Sequence, residues 1–168
     1  MTLAIRKFGL ISDTHGSVHP DVHDLFQGVE DILHAGDVGD DDILRELRVI
    51  ASVHAVAGNC DHPRAALPPF RIVELPFGKA GIAHGHRQPE KQSERVTALH
   101  EVFREQGCRL ILHGHSHQQH LEFRSGCWIV NPGAATHPRF GVMPGLCILE
   151  WNSETDTLRF DFRPLVWK

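Results

Sequence analysis

Ile5-Arg6-Lys7-Phe8-Gly9-Leu10-Ile11 is followed at once by Ser12-Asp13-Thr14-His15. The first seven residues carry the β-branched and aromatic side chains of a short strand, and the polar four that follow end it. Working outward, Pro20 opens a helix over Asp21 to Val29, and Asp31 to Ala35 is a second strand. Asp40 to Val49 is an amphipathic helix with acidic residues at its N-terminus, where they suit the helix dipole. Val53 to Ala57 is a third strand. This βαβαβ order implies a parallel sheet joined by right-handed crossovers.

The second half changes character. Arg71 to Leu75 and Lys79 to Ala83 flank Pro76-Phe77-Gly78 as a hairpin would, and Glu94 to Glu105 repeats Val96, Leu99, Val102 and Phe103 as a helix face. Further strands are expected at Arg109 to Leu112, Gln119 to Arg124, Cys127 to Val130, Leu146 to Trp151 and Leu158 to Phe162. Turn residues such as Ser125-Gly126 and Asn152-Ser153 part them. No repeat or linker interrupts the chain, so residues 1–168 are expected to form one domain. The expected architecture is a four-layer α/β/β/α sandwich of two mixed sheets flanked by helices.

Composition bounds the function. At 168 residues, 41% hydrophobic and 23% charged, the chain suits a single core. Seventeen Lys and Arg oppose 21 Asp and Glu for a net charge of -4, which gives no bulk attraction to nucleic acid and argues against that partner. Apolar runs such as Leu110 to Leu112 fall far short of the roughly 20 residues a membrane helix needs. Met1 to Arg6 lacks a secretory apolar region, so the expectation is a cytoplasmic protein with no membrane partner. Cys60, Cys108, Cys127 and Cys147 have no paired spacing and read as reduced thiols. The figure that stands out is 14 histidines against no tyrosine, since histidine is the commonest metal-ligating side chain.

Position matters more than number. Polar clusters follow the strands: Ser12-Asp13-Thr14-His15, Ala35-Gly36-Asp37, Gly58-Asn59-Cys60-Asp61, Ala83-His84-Gly85-His86 and His113-Gly114-His115-Ser116-His117. In open α/β sheets ligands sit beyond the carboxyl ends of the strands, so these loops should converge on one crevice. Each cluster alone has an ordinary reading: Gly36-Asp37 as a turn, Gly58-Asn59 as a left-handed turn signal, His84 as a packed core imidazole. His115-x-His117 says more, because imidazoles at i and i+2 fall on one side of an extended chain. The ordinary reading has to hold five times over, which favours a metal site.

In this order, Asp13-x-His15, Gly36-Asp37, Gly58-Asn59-Cys60-Asp61, His84-Gly85-His86 and Gly114-His115-Ser116-His117 resemble the calcineurin-like metallophosphoesterase superfamily. The likeness is to its small bacterial and archaeal phosphodiesterase branch, and Asn131-Pro132-Gly133 also resembles a segment of that branch. The resemblance implies two divalent metal ions, with Asp13, His15, Asp37 and His117 holding one and Asp37, Asn59, His84 and His115 the other. Asp37 would bridge them. The chemistry agrees: a carboxylate can bridge through its two oxygens, Gly36 lets the backbone come close, and Asn59 offers a neutral carbonyl oxygen. With a bridging hydroxide the site carries a net charge of about +1, enough to attract a phosphate ester.

The activity so implied is phosphodiesterase hydrolysis of a small-molecule phosphate ester. Metal coordination brings the pKa of water from about 15.7 to about 7, and two ions roughly 3.5–4 Å apart clamp the attacking oxygen and the phosphoryl group. The alternatives are a phosphomonoesterase or nucleotidase on the same site, and a protein-binding scaffold like the retromer subunit of this fold, which lacks a full ligand set. A homo-oligomer is left open. The resemblance puts manganese first; iron, nickel, cobalt or zinc suit the donors too, whereas magnesium and calcium prefer all-oxygen shells.

Larger phosphatases of the superfamily usually have a histidine after the motif asparagine, where this chain has Cys60. An ordinary thiol, with a pKa of about 8.5, is a poor general acid. His86, Cys60 itself, His62 and His137 are therefore the candidate proton donors to the leaving group. Arg64, Arg87 and Arg139 lie near motif loops and could clamp phosphate oxygens, although solvated surface charges are the simpler reading. Asn131-Pro132-Gly133 reads as a structural turn and Cys108, Cys127 and Cys147 as small core residues. His19, His23, His54, His100 and His120 read as surface or packing residues.

Overall fold

The computed structural model describes residues 4–63, 66–137 and 141–166. The first half runs β1 (Ile5–Ile11), α1 (Asp21–Leu25), β2 (Asp31–His34), α2 (Asp41–Arg48) and β3 (Ser52–Ala55). Then come β4 (Phe70–Leu75), β5 (Gly78–Ala83), α3 (Gln92–Arg104), β6 (Cys108–Leu112), β7 (His120–Arg124), β8 (Cys127–Asn131), β9 (Gly145–Asn152) and β10 (Thr157–Pro164). One sheet has the order β10-β9-β1-β2-β3, parallel through β1, β2 and β3 and antiparallel where β9 and β10 join. The other has the order β4-β5-β6-β8-β7, parallel at its centre and antiparallel at both edges. Both sheets are mixed, and the expected four-layer sandwich is the architecture that forms.

Alternation along the strands sorts the layers. Phe8 and Leu10 of β1 point between the sheets, where they meet Leu33, Val73, Ile82, Leu110 and Val130. Ile11 points the other way and joins Val22, Phe26, Leu44 and Leu47 under α1 and α2. On the far face, Val96, Leu99 and Phe103 of α3 cover Cys108, Ile111, Cys127 and Ile129. A glycine lies beneath an aromatic ring on each outer face. A Cβ on Gly9 would stand 2.9 Å from the Phe26 ring, and one on Gly81 only 2.4 Å from Phe103. Each ring seated this way contributes on the order of 1.5–3 kcal/mol by burial.

The bounds of α1 and α3 depart from the sequence reading. α1 ends at Leu25 rather than Val29, because Gly28 turns the chain with φ +79°. α3 starts two residues early, and its buried face includes Arg95, 2% exposed, while Val102 is 55% exposed. Periodicity marked Val102 as apolar, but the packed stripe runs through Arg95, Val96, Leu99, His100 and Phe103. The Arg95 stem lies under Gly85 and its guanidinium donates to the Glu90 carbonyl at 2.9 Å. None of the four cysteines is disulfide-bonded, and burial pushes the Cys127 and Cys147 thiols up to about 12. No helix among the described residues is long and apolar enough to cross a membrane.

Candidate metal centre

The loops after β1, β2, β5 and β6, with the loop beyond β3, meet at one edge of the sandwich. His117 Nε2 lies 3.2 Å from Asp13 Oδ1, and His84 Nε2 lies 3.3 Å from Asp37 Oδ2. His15 Nε2 is 3.9 Å from each carboxylate and 3.5 Å from His117 Nε2. His115 Nδ1 is 3.1 Å from Asn59 Oδ1, and the His115 backbone N–H donates to Asp13 Oδ2 at 3.2 Å. All seven residues singled out as ligands from the sequence are thus brought into one cluster. Within it Asp13, His15 and His117, then Asp13, Asp37 and His84, then His15, Asp37 and Cys60 each offer ligand atoms lying within 4.8 Å of one another.

The donors fit a divalent cation. Asp13 Oδ1 and His84 Nε2 are buried without a hydrogen-bond partner, which costs roughly 1–3 kcal/mol per atom unless something else satisfies it. His84 Nδ1 donates to the Ala35 carbonyl at 2.8 Å and His117 Nδ1 to the His137 carbonyl at 3.0 Å. Both rings therefore turn Nε2 toward the carboxylates, the arrangement metal-binding imidazoles adopt. Burial by itself would raise both acidic groups, but His117 and His84 outweigh it for Asp13, and His84 with the Cys60 N–H does so for Asp37, so both stay below the ordinary carboxylate range. Burial likewise would lower His84, yet Asp37 and Asp13 hold it above the usual histidine value. Burial does lower His15 and His115, which keeps their lone pairs free. Two ionised carboxylates enclosed with imidazoles form a seat for positive charge.

Backbone geometry marks five of the seven. Asp13, His15, Asp37, His115 and His117 all have positive φ, between 45° and 68°. Non-glycine residues rarely do so, and such strain gathers at functional sites. Two glycines admit the close approach: a Cβ on Gly58 would stand 2.0 Å from Asp37 Oδ1, and one on Gly114 2.0 Å from Ser12 Oγ.

The candidate proton donors separate. The His86 ring lies 5.4 Å from that of His84 and 6.3 Å from that of His115, and burial, His84 and Arg87 all lower its pKa. Cys60 is exposed, with Sγ 3.4 Å from Asn59 Nδ2. His62 is exposed and lines an adjoining cleft with Val38, Asp40 and Asp61. His137 stands with its ring 6.0 Å from that of His15. Arg87 lines a pocket with Phe70, Leu99 and Val102, and Arg64 and Arg139 lie outside the described residues.

Sequence reading missed the residues that tie the loops together. His34 Nδ1 accepts the Gly36 N–H at 3.1 Å, its Nε2 lies 3.0 Å from Thr14 Oγ1, and that hydroxyl donates to the Val38 carbonyl at 3.0 Å. Asp61, quoted in a motif without a role, accepts the N–H groups of Gly39 and Gly58, each at 2.8 Å. Asn131, read as part of a turn, accepts the Gly133 N–H and also donates to Gly114 O and Ser116 Oγ, each at 3.0 Å, bracing the His113–His117 loop. The place of His34 just before Gly36-Asp37 was the only signal in the sequence.

A four-layer sandwich with carboxylates and imidazoles gathered at its strand ends defines a metallophosphoesterase architecture. The model described as "Calcineurin-like phosphoesterase superfamily domain" matches residues 7–154, and the chain belongs to that metal-dependent superfamily. It is 34% identical over 152 residues to a probable metallophosphoesterase of Methanothermobacter thermautotrophicus, covering 87% of this chain and 86% of the relative. It is 26% identical over 179 residues to a phosphodiesterase of Methanocaldococcus jannaschii, covering 95% and 98%. The structure of vacuolar protein sorting 29 from Cryptosporidium parvum shares the fold, with a TM-score of 0.77 at 18% identity, covering 95% of this chain and 97% of that one.

Proposed function

We propose that the chain is a phosphodiesterase acting on small phosphodiesters with two divalent ions, manganese first among them. Asp13, His15, Asp37 and His117 would hold one ion, and Asp37, Asn59, His84 and His115 the other. The observation that carries this reading is a pair of buried atoms without hydrogen bonds, Asp13 Oδ1 on one ionised carboxylate and His84 Nε2 beside the other, that of Asp37. When bound, the ions supply a water activated for attack and positive charge against the phosphoryl oxygens. The protein fixes the two carboxylates: Ser12 Oγ donates to Asp13 Oδ2 at 2.6 Å and the Cys60 N–H donates to Asp37 Oδ1 at 2.7 Å, which sets the orientation each presents to the site.

The His86 ring stands 5.4 Å from that of His84 and 6.3 Å from that of His115. With its pKa lowered it is mostly neutral near pH 7, so it gives limited help to a poor leaving group. The preferred substrates are accordingly diesters with stable, aryl-type leaving groups. The full set of seven donors speaks against the scaffold reading. The test is turnover of manganese-loaded protein on matched aryl diesters, alkyl diesters and aryl monoesters. Aryl diesters should be cleaved fastest; a monoester preference would favour the phosphomonoesterase reading, and no turnover with any metal would overturn the enzyme reading.

A further inference from the structure

Cys60 stands at the mouth of the site, exposed, yet its backbone N–H donates to Asp37 Oδ1 at 2.7 Å. Its Sγ also lies within 4.8 Å of an Asp37 carboxylate oxygen. The side chain therefore leans on the acidic group at the centre of the cluster. Its Sγ, a nitrogen of His15 and an oxygen of Asp37 lie within 4.8 Å of one another, a spread that one ion can span. A separate observation points to a ligand beside these atoms: Asp13 Oδ1, fully buried and without a hydrogen bond, lies 3.9 Å from His15 Nε2.

We propose that Cys60 is itself a metal ligand, a soft donor that completes a sulfur, nitrogen and oxygen set with His15 and Asp37 for thiophilic cations. The inference rests on the metal-bearing reading of the site and adds a donor to it. Thiolate is a soft ligand that favours cadmium, zinc and cobalt over manganese, whereas the carboxylates and amide oxygen around it suit the harder ion. As the Sγ–metal bond forms, the thiol gives its proton to solvent. The other three cysteines are buried in the apolar layers and take no part. Two consequences follow: the identity of the bound ion depends on Cys60, and a coordinated Cys60 cannot protonate a leaving group, which leaves that task to the candidate histidines.

Cobalt(II) titration of the full chain tests this. Visible d–d bands report an ion in the site, and a near-ultraviolet thiolate-to-cobalt band reports the Sγ bond. The parent should show both, while Cys60→Ser and Cys60→Ala should keep the visible bands and lose the near-ultraviolet one. Cadmium affinity should fall about tenfold or more in both variants, and manganese affinity should change by no more than about threefold. Visible bands without the near-ultraviolet band in the parent would overturn the proposal and leave the metal site standing, as would a near-ultraviolet band surviving in both variants. Absence of both bands in the parent would overturn the metal reading and this proposal with it.

Discussion

Acid should loosen the site through one buried imidazole that is not among the proposed ligands. His34 is wholly buried. Its Nδ1 accepts the Gly36 N–H, so the ring proton sits on Nε2 and donates to Thr14 Oγ1, which in turn donates to the Val38 carbonyl. This relay ties the loop of Asp13 and His15 to the loop of Asp37 only while the ring is neutral. Burial lowers the His34 pKa from 6.5 to about 4. Because the folded value lies below the unfolded one, the unfolded chain takes the proton first; stability is complete above pH 6.5 and is lost as pH falls from 6.5 toward 4. A gap of about 2.5 units at about 1.4 kcal/mol each gives a loss on the order of 3 kcal/mol, most of it reached by about pH 4.5. Urea unfolding of the metal-free chain from about pH 7.5 to about pH 4.5, parent beside His34→Gln, measures it, since groups shared by both proteins cancel. The parent should lose roughly 2–3 kcal/mol more than the variant across that range. Parallel pH profiles would refute the reasoning.

Three further outcomes are expected. Asp37→Asn keeps the size of the side chain but removes charge, so the folded variant should turn over at least about a hundredfold more slowly and bind fewer ions by elemental analysis; unchanged metal content would show that Asp37 is not shared between ions. Gly58→Ala places a Cβ 2.0 Å from Asp37 Oδ1, so manganese affinity by calorimetry should fall roughly 10–100-fold, with a stability loss of about 1–3 kcal/mol. Manganese at about a hundred times its Kd should stabilise the chain by about 2.7 kcal/mol and raise the melting temperature by about 5–10 °C for each site filled, and a melt indifferent to metal would count against both sites.

Strands and the ligand loops were legible because they depend on local pattern. Ile5–Ile11 was read with the bounds the structure gives it, and His115-x-His117 was singled out by its spacing, although the chain there is left-handed rather than extended. Helix ends depend on single residues, as the left-handed Gly28 shows, and they slipped by a few positions. The bracing groups were not legible because nothing local distinguishes them. His34 closes a strand like any polar residue, and its relay exists only where the first and second loops pack together. Arg95 looks like a solvated helix charge until Gly85, ten residues earlier, leaves room for its stem.

The left-handed backbone at Asp13, His15, Asp37, His115 and His117 also restricts the alphabet in which the site can be rewritten. Asp, Asn, His and Gly enter that conformation with little penalty, whereas branched and bulky side chains do not. Anyone editing the centre to accept a different ion can trade among Asp, Asn and His at those five places but would strain the loop by installing a threonine or an isoleucine there. Asn59, Cys60 and His84 stand outside the left-handed region. Donor exchange aimed at a new metal has its widest latitude at those three positions.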